Sequence, residues 1–288
     1  MIIDIRYHIA SLVAVFLALG IGILVGSSIL GVDTLASQQE QIAERLENHL
    51  HKLREENRAV RAEMALLESE IDLHAQFQKD IFPYLVSGRL EGQQIALVEI
   101  SAYPLEHNLR GLLETAGAEI VSVTTVPNGL NPKGHEANLL SLGSWPETSG
   151  EKLPGLLAGA LARAIVEGPS PVVEYLVDEK LISVTGEYGR PLDAVVLVGG
   201  GDDSNSPPVR VLGFPMIERF QGYGLRVCGV EERAAPVSCI KDYQVKLAAT
   251  VDNIDTIPGQ FALVQVLAGR DGHYGVKDTA QRLVPLPD

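Results

Sequence analysis

Apolar and polar positions change rhythm along this chain in a way that divides it into three parts. From Ile9 to Val32 no residue is charged, and such a helix rises roughly 36 Å, enough to cross a hydrocarbon core. Arg6 and the amino terminus precede the run, and Asp33 and Glu40 follow it. These flanks fit a retained signal anchor: residues 1–8 as a short cytoplasmic tail, 9–32 as a transmembrane helix and the remainder extracytoplasmic. The alternative is a cleaved leader, but the run exceeds a signal-peptide core and Leu35-Ala36-Ser37 offers a poor cleavage site. Within the span Ala10, Ala14, Ala18, Gly22 and Gly26 recur every four residues. Small side chains on one helix face let two backbones approach closely in lipid, so Ala14, Ala18, Gly22 and Gly26 are expected to form a dimerisation face. Small residues are common in spans generally; it is the five residues in register that single this face out.

Residues 33–82 read as a coiled-coil stalk. Between Ala36 and Ile81 there is no Gly or Pro, and an apolar heptad can be counted. Ala43, Leu50, Asn57, Met64 and Ile71 take its a positions, with Leu46, Leu53, Val60 and Leu67 at d. This is the seam of a two-stranded parallel coil. Asn57 at a costs stability but pairs best with its own counterpart, fixing register and strand number. Glu56 faces Arg61 of a parallel partner, whereas Glu63 faces Glu68, so the flanking charges help only in part. The alternative is an amphipathic helix folded back on the remainder of the chain. Pro83 and Gly88 mark the stalk's end.

Residues 90–288 read as a Rossmann-like layered α/β domain. The runs 94–100, 118–126, 193–200 and 226–232 are apolar and rich in β-branched residues, with a further strand expected at 181–185. Helical patterns fall at 105–116, 151–167, 171–180 and 214–222. Continuous apolar strands alternating with helices indicate a parallel sheet covered on both faces. Pro258-Gly259 opens a helix over FALVQVLAG, a terminal strand being the alternative. Asp252, Asn253 and Asp255 are expected to cap and turn the chain ahead of it, and His273-Tyr274 to form a tight loop.

Composition narrows the function. A formal charge of −14 argues against nucleic acid as a partner. The two cysteines, Cys228 and Cys239, exclude a disulfide-dense scaffold and leave one possible bridge open. Nucleophile-elbow, Walker, HExxH and CxxC motifs are all missing, so an enzyme is not expected. Two low-ranked ligand sites remain. Asp202 and Asp203, in GGGDDSNSPP after a buried strand, lie where open α/β sheets bind ligands, though a plain surface turn is the favoured reading. Asp252 and Asp255 could form a shared site with His273 and Tyr274, since Asp, Asn and His side chains suit base or metal chemistry.

The opening MIIDIRYHIASLVAVFLALGIGILVG, the coiled stalk, AVVLVGG, and the TVDNIDT…GQ…AL…GHYG tail resemble the MctB-type copper transport family, known for mycobacterial envelope members. The resemblance spans nearly the whole chain and implies an envelope protein with a role in copper transport or homeostasis. Copper enters by that resemblance alone, without assigned ligands. Cu(I) prefers thiolate and thioether, and beyond the initiator the chain offers only Met64, Met216, Cys228 and Cys239. The partners expected are a second copy of the chain, membrane lipid and an envelope protein. A non-enzymatic scaffold presenting its α/β head to envelope or cell-division partners is the alternative function.

Overall fold

The computed structural model describes residues 5–100, 109–143, 145, 153–200 and 209–286, with the side chains of 28–37 and 128 set aside. The chain divides into two units, Met1–His74 and Ala75–Asp288. Helix α1 (Ile5–Val86) supplies the first and opens the second.

In the first unit the apolar run long enough to cross a membrane is Ile5–Ser27, none of it buried. It starts earlier than the charge-free stretch and takes in Arg6, whose long side chain can reach a membrane surface while its stem stays in the apolar layer. Beyond it the helix carries a row of exposed large apolar side chains from Leu46 to Ile71. Helix α1 runs past Pro83 and stops at Val86, where Gly88 (φ 71°) takes the left-handed conformation that ends helices. Proline there forgoes only its own hydrogen bond back to the Lys79 carbonyl, while Ser87 N–H still closes on the Pro83 carbonyl at 2.9 Å.

The second unit is built on one seven-stranded sheet. Its strands are β1 (Gln94–Glu99), β2 (Glu119–Thr125), β3 (Ser183–Gly186), β4 (Ala194–Val198), β5 (Arg226–Val230), β6 (Ala249–Val251) and β7 (Gly272–Tyr274). They lie in the order β3-β2-β1-β4-β5-β6-β7. All neighbours pair in parallel except β2 and β3, which are antiparallel. The helices are α2 (Leu109–Thr115), α3 (Glu136–Leu142), α4 (Leu153–Glu167), α5 (Pro171–Asp178), α6 (Val209–Gly222), α7 (Ile240–Lys246) and α8 (Ile257–Leu267).

The continuous apolar character of the central strands follows from their two covered faces. Val195 and Leu197 of β4 join one core with α4, α5, α6 and α7, while Ala194, Val196 and Val198 join another with α2 and α8. Successive side chains of a strand point to opposite faces, so a strand buried on both must be apolar throughout. The expected parallel sheet is thus corrected at one edge, where β3 returns antiparallel after α5. Lys180 (φ 58°) adopts a left-handed turn there, and Leu181 N–H closes it on the Leu176 carbonyl at 2.8 Å. A second correction concerns His273 and Tyr274, which lie in β7 rather than in a tight loop. Three residues are too few for a hydrophobic period to reveal. The helix at 257–267 is observed, and the alternative of a strand there falls away.

Candidate functional site

Two features are candidates, one in each unit. In the first unit Ala14, Ala18 and Gly22 lie exposed on α1, Gly26 is half-buried, and a Cβ added to Gly22 or Gly26 meets nothing within 4 Å. Every apolar residue assigned to the coil seam is exposed in the single chain: Leu46, Leu50, Leu53, Val60, Met64, Leu67 and Ile71. Asn57 is exposed beside them. Large apolar side chains standing in a row on one helix are unusual for a surface that stays in water.

In the second unit, buried polar groups gather where β5 and β6 end. Glu231 is fully buried, and its carboxylate accepts from four donors. Oε1 takes the Ser238 hydroxyl at 2.5 Å and the Lys277 ammonium; Oε2 takes the Cys239 backbone N–H at 2.7 Å and its thiol at 3.1 Å. A buried carboxylate persists only when its lone pairs are filled and its charge is met, as here. Beside it Asp252, 1% exposed, accepts from Val276 N–H at 2.7 Å and Lys277 N–H at 3.1 Å. Burial pushes Asp252 above the usual carboxylate range, opposed by those two N–H groups and by the Lys277 charge. Cys239 is pushed well up, first by burial and then by the Glu231 charge and hydrogen bond, so it stays a thiol that donates. Cys228 is raised by burial to about 12.

The chemistry of this cluster is that of a clamp. Its groups hold β5, β6 and the segment after β7 to one another, and the thiol is spent on Glu231. Gly275 fits closely: at φ 146° a Cβ there would come 1.9 Å from Asp252 Oδ1. Gly275→Ala is therefore expected to cost more than about 2 kcal/mol, read as a lowered urea midpoint of the full chain.

The residues read from the sequence as a ligand set are each taken by a different neighbour. Asp255 accepts from Arg233 N–H at 2.7 Å, His273 Nδ1 bonds Thr250 Oγ1 at 3.0 Å, and the Tyr274 hydroxyl donates to the Asp271 carbonyl at 2.8 Å. The cap of α8 is Thr256, which accepts from Gly259 N–H at 3.2 Å; Asn253 supports it by donating to the Thr256 hydroxyl at 2.9 Å. Asp202 and Asp203 lie outside the described residues. Among the described residues no three His, Cys, Asp or Glu side chains are grouped to hold a metal ion. Met216 lies in the core, and Cys228 and Cys239 are free thiols in the cores on opposite faces of the sheet. Glu231, Ser238 and Lys277 are the clamp residues that sequence reasoning missed; the one signal was a pair of glutamates closing an apolar strand.

His273 provides a pH handle. Burial lowers it from the ordinary value of 6.5, so the unfolded chain takes up the proton first as pH falls. Its contribution to stability is complete above about pH 6.5 and is lost as pH drops below that. His273→Gln is expected to flatten the slope of unfolding free energy between about pH 7 and pH 5.

The model of the family described as "Copper transport outer membrane protein, MctB" matches residues 2–285. The chain belongs to this family. Among curated relatives, the Copper transporter MctB of Mycobacterium bovis and that of Mycobacterium tuberculosis are 25% identical over an alignment 311 positions long, covering 95% of this chain and 96% of the relative. The MctB match thus takes in the apolar helix, the exposed seam and the clamp together.

Proposed function

We propose that the chain is a membrane-anchored homodimer of the cell envelope that assists copper transport, with its amino terminus cytoplasmic and a Rossmann-like head outside. The observation that carries this reading is the MctB match along residues 2–285, which joins a copper-transport family to a helix bearing an apolar span and an uncovered apolar seam. The seam favours a parallel coiled coil, since two chains lying side by side would cover Leu46 to Ile71 at once. The role assigned is accessory. Strands of three to seven residues, packed under helices on both faces, are shorter than the roughly 9–11 a membrane strand needs.

Deleting the gene in its host is expected to change copper tolerance and cellular copper content, and the full chain is expected to restore both where a chain lacking residues 1–27 does not. Unchanged copper content in the deletion strain would refute the copper role.

The engaged state of the soft donors in the second unit, Cys239 on Glu231 and Cys228 and Met216 in the core, favours a second reading, a scaffold that holds no copper itself. Calorimetric titration of the full chain in nanodiscs with Cu(I) separates the two. Binding tighter than about 10⁻⁵ M supports direct handling of the ion, and weaker binding supports the scaffold.

A further inference from the structure

Strand β3 ends the sheet, and β2 takes one of its two edges. Glu187 N–H donates to the Val121 carbonyl at 3.1 Å, and the register pairs Thr185 with Val123 and Ser183 with Thr125. Antiparallel pairs alternate between bonded and non-bonded positions, so Ser183, Thr185 and Glu187 spend their backbone groups on β2. The N–H and C=O of Val184 and Gly186 therefore face the other way, where no strand pairs among the described residues. At Gly186 (φ 94°) a Cβ would come 2.2 Å from the Val121 carbonyl oxygen. The glycine is required by the β2 side and leaves no side chain over the open side.

A groove of about 490 Å³ runs beside this edge, between β3 and α5. Val173, Val177 and Val184 give it an apolar lining, and Val177 is 39% exposed. The Tyr188 ring closes it, fixed by a 2.7 Å hydrogen bond between its hydroxyl and Thr124. Glu174, Asp178 and Glu187 complete the lining, which holds no Lys, Arg or His. None of these three carboxylates forms an ion pair among the described residues. An open backbone edge, an apolar trough and three unmatched negative charges occur together.

We infer that the free edge of β3 and the valine groove beside it bind an extended segment of a partner polypeptide carrying Lys or Arg at alternate positions. Alternate residues of an added strand point to one face. Their methylene stems lie along the valines, and their charged heads reach Glu174, Asp178 and Glu187. The segment's backbone pairs with Val184 and Gly186, the mode by which exposed sheet edges take up peptides. A second copy of this chain is a poor occupant, because two acidic rims would meet. The edge is short, so the complex is weak and transient. This inference does not rest on the copper reading.

The test uses the full chain in nanodiscs and a fluorescein-labelled octapeptide of alternating Lys and Thr, followed by fluorescence anisotropy. The expected dissociation constant is about 10⁻⁵ to 10⁻⁴ M. Methylating alternate backbone nitrogens of the peptide, in either register, leaves its charge intact; methylation in one of the two is expected to weaken binding at least about tenfold. The triple variant Glu174→Gln, Asp178→Asn, Glu187→Gln is expected to weaken it as much, with an unchanged circular dichroism spectrum and melting midpoint. Neutralising Glu55, Glu63 and Glu68 on α1 instead is expected to leave it within about twofold. Absence of binding at about 1 mM peptide overturns the inference. So does equal weakening by the head and α1 triples, or indifference to N-methylation in both registers, either of which would mark attraction to net charge alone. Disulfide trapping of Thr185→Cys as a homodimer would assign the edge to a second copy and overturn it likewise.

Discussion

A chain carrying Leu50→Glu and Leu67→Glu is expected to sediment as a monomer in mild detergent at concentrations where the native chain is expected to sediment as a dimer. Both leucines are about half exposed in the single chain, at 44% and 50%, and both fall on the heptad seam. Fully burying an exposed leucine is worth roughly 1.5–3 kcal/mol; each of these is already about half covered, and each dimer would lose four such half contributions. The loss is about 3–6 kcal/mol, roughly two to four orders of magnitude in the association constant, before any cost of setting glutamates against one another. Asn57→Val provides the contrast. Removing the polar a residue is expected to raise the melting temperature of the coil while allowing species larger than dimers to form. A native chain already monomeric in detergent would end the dimer proposal outright.

Glu231→Gln is expected to lower the stability of the full chain by about 3–5 kcal/mol, measured by urea unfolding. The amide keeps the shape of the side chain but removes the charge opposite Lys277, and one of its two heads can no longer accept hydrogen bonds from Ser238, Cys239 or Lys277. Breaking one partner of a buried pair leaves the other uncompensated, which accounts for the size of the effect. Lys277→Met should do comparable harm, since Glu231 is fully buried. The double variant should be less damaged than the sum, with a coupling of about 1–3 kcal/mol. Additive losses would show that the two residues act independently and that the clamp is not a unit.

The parts of the molecule legible in the sequence are those with a long period. The strand at 194–198 is legible because burial on both faces makes it apolar at every position, and those at 94–99, 119–125 and 226–230 because β-branched and apolar residues fill most of their buried positions. Helix α8 was marked by Pro258 at its first turn. Short elements left no such trace: α7, β6 and β7 are seven, three and three residues long. The antiparallel sense of β3 depends on the turn at Lys180, an unusual left-handed position that no local pattern announces. The clamp was illegible for another reason. Glu231 and Lys277 are far apart along the chain, and only the alignment of β5, β6 and β7 brings them together. Asp252, by contrast, is legible as a polar residue ahead of α8, yet its role in binding the backbone of Val276 and Lys277 follows only from the fold.

The cysteines give the head an indifference to redox surroundings. With Cys228 and Cys239 in separate cores across the sheet, oxidant has no pair to join and reductant no bond to break. The same covalent chain can therefore mature on either side of a membrane. A maleimide offered to the native protein should find both sulfurs shielded, and their labelling then becomes a clock for how often the interior opens.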